Sequence, residues 1–407
     1  MFELKPKIRF KEFKDNWRYC KLSDITTMHA RIGWQNLRTS EFLDFGDYML
    51  ITGTDFENGS INYSTCHFVE KERYDQDKHI QLTNGNILIT KDGTLGKVAY
   101  VDGLEIPATL NAGVFNVELK DKSLIDGKYL FQYLKAPYLM DYVSKRATGG
   151  TIKHLNQNIL VDFPVVLPDK NEQSKIGNLL FDIDNLIKLN DNKLEKLKNY
   201  KKAMLDKMFP KNESLFPEVR FKGFTDAWEQ RKLGEVGQVA MNKRIFKYQT
   251  SERGDIPFFK IGTFGGAPDA YISRELFNEY KSKFSYPKKG DILISASGSI
   301  GRVVEFKGED EYFQDSNIVW LQHDDQIQNT FLKHLYSIIK WSGLEGSTIK
   351  RLYNKNILET QITTPLTLEQ EKIGCLLGKL DNLITLHQRK CEMLVNIKKS
   401  LLQKLYI

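Results

Sequence analysis

The chain repeats itself, and no other feature limits its fold so tightly. Pro6-Lys-Ile-Arg-Phe-Lys-Glu-Phe-Lys-Asp-Asn-Trp17 is matched by Pro217-Glu-Val-Arg-Phe-Lys-Gly-Phe-Thr-Asp-Ala-Trp228, and Lys21-Leu22 by Lys232-Leu233. Gly85-Asn-Ile-Leu-Ile-Thr-Lys-Asp-Gly-Thr-Leu-Gly-Lys97 aligns with Gly290-Asp-Ile-Leu-Ile-Ser-Ala-Ser-Gly-Ser-Ile-Gly-Arg302. Thr151-Ile-Lys-His-Leu-Asn-Gln-Asn-Ile-Leu160 aligns with Thr348-Ile-Lys-Arg-Leu-Tyr-Asn-Lys-Asn-Ile-Leu358, with one residue inserted in the second copy. Finally Glu172-Gln173, Lys175-Ile176-Gly177 and Leu179-Leu180 recur as Glu369-Gln370, Lys372-Ile373-Gly374 and Leu376-Leu377. The matches keep their order along all 407 residues, which chance does not produce. One plan built twice is expected, and the length is ample for more than one core.

Each copy has two parts. The first mixes short β-branched or aromatic runs with Gly, Asn and Asp, and is predicted to be β-rich with some helix. Ile87-Leu-Ile-Thr90 before Asp92-Gly93 has the pattern of a buried strand entering a tight turn, and Ile292–Ser295 before Ser297-Gly298 repeats it. Tyr129–Tyr142 and Thr330–Trp341 have helical character, the first interrupted or kinked at Pro137.

After Pro168 and Pro365 proline disappears and apolar residues fall at helical spacing, over 171–208 and 368–405. The first run carries Ile176, Leu179, Ile183, Leu186, Leu197, Tyr200 and Met204, and the second Ile373, Leu376, Leu380, Leu383, Leu394, Ile397 and Leu401. These fit heptad positions a and d, so each run is expected to form a coiled-coil helix roughly 55 Å long. Two matched helices in one chain favour pairing with each other. Asn190 and His387 interrupt the stripes near their middles. Antiparallel pairing would let the two face each other, a polar contact that costs stability and fixes register; solvation of both is the alternative. The fold class is therefore α+β, two tandem β-rich domains each followed by a long helix, with the helices antiparallel.

Chemistry of several kinds is missing. There is no Gly-x-x-x-x-Gly-Lys-Ser/Thr phosphate loop, no Gly-x-Gly-x-x-Gly opening a helix, and no Asn-Pro-Pro-Tyr. Cys20, Cys66, Cys375 and Cys391 show no paired spacing, which suits a reducing compartment. No apolar run could span a bilayer and the N-terminus has no signal-peptide pattern, so a cytoplasmic location and no membrane partner are expected. Asp291, Glu305 and Lys307 have the spacing of a metal-dependent nuclease, but the repeat puts Asn86, Tyr100 and Asp102 at the equivalent positions. No metal site and no catalytic residue is expected. With 59 Lys+Arg against 52 Asp+Glu, the charge of +7 permits a nucleic-acid partner without requiring one.

The two β-rich regions share a plan and differ freely elsewhere, as readers of two different sequences would. Arg, Lys, Asn, Gln, Ser and Thr on loops can position a protein on phosphates or read base edges. In the first copy the candidates are Thr90, Lys91, Thr94, Lys97, Arg146, Lys153 and His154. In the second they are Ser295, Ser297, Ser299, Arg302, Lys350, Arg351 and Tyr353. The competing reading is that Gly93, Gly96, Gly298 and Gly301 shape turns, the hydroxyls satisfy them, and the basic residues are solvated. Arg31-Ile-Gly-Trp-Gln35 and Asn242-Lys-Arg244 are weaker candidates. A tandem scaffold for protein partners is the other class of reading.

The sequence resembles the specificity subunit of type I restriction-modification systems. The resemblance runs end to end, carried by Trp17–Leu22 and Trp228–Leu233, the strand-turns Ile87–Gly96 and Ile292–Gly301, the Pro168/Glu172-Gln173 and Pro365/Glu369-Gln370 helix starts, and Lys193–Lys198. It implies target recognition domains over 1–168 and 212–365, and spacer helices over 169–211 and 366–407. It further implies a chain without catalysis of its own, binding a bipartite double-stranded DNA site with an unread gap. Two methyltransferase subunits would dock on the helices, and restriction subunits would join them. S-adenosylmethionine, ATP and Mg would belong to those partners, with no cofactor on this chain. Inserting one helical turn into both helices is then expected to lengthen the gap.

Overall fold

The computed structural model describes residues 5–146, 154–211, 214–343 and 351–406. The chain forms two compact units, Met1–Asp191 with Lys390–Ile407, and Asn192–Arg389.

In the first unit, strands Thr26–His29, Val114–Leu119, Ile87–Thr90 and Val98–Tyr100 form an antiparallel sheet in that order. A second sheet runs His67–Phe68, Met49–Ile51, Ala108–Leu110, Gln81–Leu82, with one parallel pair. Ile87–Thr90 is buried along its whole length because both of its faces are covered. Alternation sends Ile87 and Ile89 into one core with Phe115 and Tyr129, and Leu88 into another with Met49 and Leu110. The second unit repeats this arrangement. Gly237–Ala240, Ile318–His323, Ile292–Ser295 and Val303–Glu305 form the equivalent sheet. Ile292 and Ile294 face one core, and Leu293 the other with Phe313 and Trp320.

The repeated helix-start motif is a staple. Glu172, wholly buried, accepts two hydrogen bonds from the Arg9 guanidinium at 2.8 and 2.7 Å and one from Trp17 Nε1 at 3.2 Å. Gln173 accepts from the Asp126 amide at 2.9 Å and donates to the Pro168 carbonyl at 2.9 Å. In the second unit Arg220 grips Glu369 at 2.8 Å twice, and Gln370 bridges the Gln328 amide and the Pro365 carbonyl, each at 2.9 Å. Such bidentate pairs fix angle as well as distance, so Pro, Glu, Gln and Arg set how each long helix leaves its sheet, with Trp17 joining in the first unit only. Gly177 and Gly374 complete the joint: a Cβ there would meet the Tyr129 amide nitrogen at 2.6 Å and the Thr330 hydroxyl at 2.6 Å.

The long helices are Lys170–Lys207 and Thr367–Leu405. In the first unit Asp184 meets Lys398 at 2.6 Å, and seven residues further along the first helix Asp191 lies near Cys391, seven residues back along the second, where burial first and Asp191 second push that thiol up to about 11. The segments therefore run antiparallel. In the second unit Lys201 bonds Asp381 at 2.5 Å, and Leu197 and Met204 pack against the core of Ile373, Leu377 and Leu380.

The phase of the apolar stripe corrects the sequence reading. Ile176, Ile183, Asn190, Ile373, Leu380 and His387 are buried, and Leu197, Leu376 and Leu394 are half-buried. Leu179, Leu186 and Leu383, however, are 36, 45 and 43 % exposed, and Tyr200 and Ile397 are exposed too. The covered partners are instead Leu180, Ile187, Leu194 and Lys201 on one helix, and Leu377, Ile384, Cys391 and Lys398 on the other. Each stripe steps by four and then three, where the reading took three and then four. The seam tolerates charge because Asp184 holds Lys398, Lys135 at 3.2 Å and Gln132 at 2.8 Å. Burial pushes the Asp184 carboxyl up, but the two ammonium groups outweigh it and hold it below its ordinary range. Asn190 donates its side-chain amide to the Leu186 carbonyl at 2.8 Å.

Two shorter helices also differ from expectation. Pro137 divides the first into Gly127–Lys135 and Tyr138–Arg146, and the second is only Asn329–Leu335.

Candidate nucleic-acid interface

In each unit the central strand ends in a turn that meets two other loops. Thr90 donates its hydroxyl to the Thr94 carbonyl at 2.5 Å and accepts the Lys97 amide at 2.9 Å. Ser295 likewise donates to the Ser299 carbonyl and accepts the Arg302 amide at 2.8 Å. Both are 1 % exposed, so their placement as DNA contacts is corrected: these hydroxyls close the turn. Gly93, Gly96, Gly298 and Gly301 all have φ between 65 and 78°, a region that favours glycine. A Cβ on Gly96 would strike Met140, and one on Gly301 would strike Trp341, so both are held by packing as well.

The loops converge through the backbone. The Lys91 amide donates to the Gly113 carbonyl at 2.9 Å, and the Leu155 amide to the Lys91 carbonyl at 2.8 Å. Ala296 makes the same two bonds, with Asn317 at 2.7 Å and Leu352 at 2.8 Å. Turn, strand start and the segment after the Thr-Ile-Lys repeat are thus brought together twice.

Around that frame the remaining candidates differ in freedom. Thr94, Lys97 and Ser299 are exposed. Lys91 is half-buried over the Phe115 ring, 5.5 Å from its centroid. The His154 ring reaches Asp92 Oδ1 at 2.5 Å, and the Arg146 guanidinium lies on the Tyr142 ring at 3.7 Å. Ser297 donates to Asn317 Oδ1 at 2.8 Å, Arg302 to the Phe264 carbonyl at 2.6 Å, and Arg351 to the Ser316 carbonyl at 3.2 Å. Tyr353 is exposed, with Arg351 5.9 Å from its ring centre. Lys153, Lys350 and the Trp34 side chain lie outside the described residues. Arg31 is an internal strut: buried, it bonds the Leu110 carbonyl at 2.8 Å and Thr109 at 3.2 Å, and burial depresses its pKa.

Asp291, Glu305 and Lys307 assemble no metal centre. Glu305 is ion-paired to Lys307 at 2.8 Å and Lys333 at 3.4 Å, and Asp291 accepts the Lys288 amide at 2.8 Å. Among the described residues no cluster of three His, Cys, Asp or Glu could hold a metal ion. None of their helices is long and apolar enough to cross a membrane.

The family described as the type I restriction modification DNA specificity domain matches residues 14–199 and again 225–395. The chain belongs to that family. The two family matches coincide with the two copies of the sequence repeat. A Haemophilus influenzae chain named as a type I restriction enzyme specificity subunit is 60 % identical over 153 residues, 37 % of this chain and 40 % of that one. The MjaVIII specificity subunit of Methanocaldococcus jannaschii is 25 % identical over 81 % of each chain. The crystal structure of a type I S subunit from M. genitalium superposes with a TM-score of 0.70 at 17 % identity over 99 % of both chains, a likeness of fold.

Within this specificity-family fold, one segment outside the sequence candidates joins the second loop cluster. Asp315–Asn317 is a hub that receives Arg244 at 2.8 Å, Arg351 and Ser297. Its sequence signal is an Asp-Ser-Asn run before a buried strand, and the structure adds Ser316 in the left-handed region at φ 55°.

Proposed function

We propose that this chain is the DNA-reading, non-catalytic subunit of a type I restriction-modification complex, with each loop cluster reading one half of a bipartite site. The observation that carries this is duplication: the same three-loop frame is built twice, around different side chains. Lys91, Thr94, Lys97, Arg146 and His154 would serve one half-site, and Ser297, Ser299, Arg302, Arg351 and Tyr353 the other. Such groups position on phosphates and read base edges.

The second stripe of the helices supports a docking role. Leu179, Leu186 and Leu189 on the first helix, and Leu383, Leu386 and Met393 on the second, lie outside the seam and are exposed. Contiguous exposed leucines mark interaction surfaces. Two methyltransferase subunits would cover them, restriction subunits would join, and S-adenosylmethionine, ATP and Mg would be used by those partners in the cytoplasm.

The test is methylation mapping. The chain is expressed with a cognate methyltransferase subunit and modified adenines are read across a genome. A two-part motif with a fixed gap is expected, and replacing residues 1–168 should change one half only. A stable complex that modifies no motif would instead support a protein scaffold.

A further inference from the structure

The loop after strand Gly237–Ala240 carries Lys243-Arg-Ile-Phe-Lys-Tyr248, three cations and two exposed aromatics without an acid. The rings of Phe246 and Tyr248 lie parallel, 5.7 Å apart and inclined by 8°, and Tyr248 is 84 % exposed. Single exposed hydrophobics are ordinary, but two parallel rings presented together form a flat aromatic surface that a planar partner could match.

The loop is built to hold them out. Ile245 packs into the core of Ile256, Phe258 and Tyr312, and the Tyr312 hydroxyl donates to the Lys243 carbonyl at 3.1 Å. Gln249 accepts the Phe246 amide at 2.9 Å and donates to the Tyr280 hydroxyl at 3.3 Å. Thr250 donates to the Lys247 carbonyl at 2.8 Å. Residues 245 and 249 point in and the rings between them point out. Arg244 ties the loop to Asp315, the hub that also holds Ser297 and Arg351. Through Arg244 the ring-bearing loop is anchored to the hub of the proposed second reading surface, with the Lys243 ammonium over the Phe284 ring at 5.1 Å.

We propose that Phe246 and Tyr248 form a stacking wedge for duplex DNA, inserted at or against a base step bordering the second half-site. This rests on the DNA-reading role proposed above. A polyanion suits Lys243 and Lys247, and bases offer the flat π faces that a rigid aromatic pair matches. Stacking is tolerant of sequence, so the wedge adds affinity and local unstacking without choosing bases.

The test uses the full chain in complex with its methyltransferase subunits, on duplexes carrying the mapped motif. F246A/Y248A should bind about tenfold more weakly, the low end of what base stacking contributes. Its dependence of affinity on salt should be unchanged, because no phosphate contact is removed, whereas Lys247→Ala should flatten that dependence. Y248F should bind as the wild type does. 2-Aminopurine at the bordering step should brighten with wild type and less with F246A/Y248A. If wild type binds and the double variant binds equally, the wedge is refuted and the reading role stands. Loss of methyltransferase association in the variant would assign the rings to a protein contact and equally refute it. If wild type shows no selective binding, both proposals fall.

Discussion

At the scale of single residues, hydroxyls that look available for DNA are already used. Thr90 and Ser295 each close a turn with two internal hydrogen bonds while buried. Thr90→Val and Ser295→Ala should each destabilise the protein by about 1–2 kcal/mol, since buried donors and acceptors lose their partners. Denaturant unfolding measures this, and the methylated motif should stay the same. Lys398 makes a pH-dependent case. Burial first, and repulsion from Lys135 second, push its ammonium down to about 8 against the pull of Asp184. Its ordinary value is 10.5, so between these values the unfolded chain holds a proton that the folded chain has lost. Stability linked to this group therefore rises with pH across that window. Lys398→Met cannot titrate, so urea denaturation should show wild type gaining on the variant from pH 8 to 10. A gap that stays constant would contradict the depressed value.

At the scale of elements, the long helices carry two apolar stripes where one was expected. Hydrophobic spacing alone fits both, because Leu179 and Leu180, and Leu186 and Ile187, are adjacent pairs. The seam takes Leu180 and Ile187 because the staple at Glu172 and Gln173 fixes the rotation of the helix on its sheet. Leu180→Ala should cost about 2–5 kcal/mol through the cavity it leaves. Leu179→Ala should cost less than about 1 kcal/mol and weaken methyltransferase association instead. Unfolding curves and co-purification separate the two effects. Equal losses of stability would show that both leucines are in the seam.

At the scale of the whole molecule, the alternation of four and three residues makes seven the natural unit of length change. Four added residues would move every second later seam position out of the stripe. Seven added to both helices preserve the phase and extend each by about 10 Å, close to three base pairs. Methylation mapping of that double insertion should give the two original half-sites separated by a longer gap. Altered half-sites would show that the helices do more than set spacing.

Residue order alone specifies the duplication, the order of sheet and helix in each copy, the central strands at Ile87 and Ile292, and the extent of the long helices within a residue or so. Those follow from local periodicity and from Pro, Gly and Asn at fixed places, which act over a few residues. The recurrence of the loops was legible for the same reason. The rest depended on contacts between residues far apart in sequence. Which apolar stripe is covered was decided by Arg9 and Arg220 reaching across more than a hundred residues to Glu172 and Glu369. Whether a hydroxyl or an arginine faces solvent was decided by the turn or sheet beneath it, as Thr90, Ser295 and Arg31 show. Only tertiary packing could hold the Phe246–Tyr248 rings outward, because the core that anchors Ile245 is assembled from Ile256, Phe258 and Tyr312.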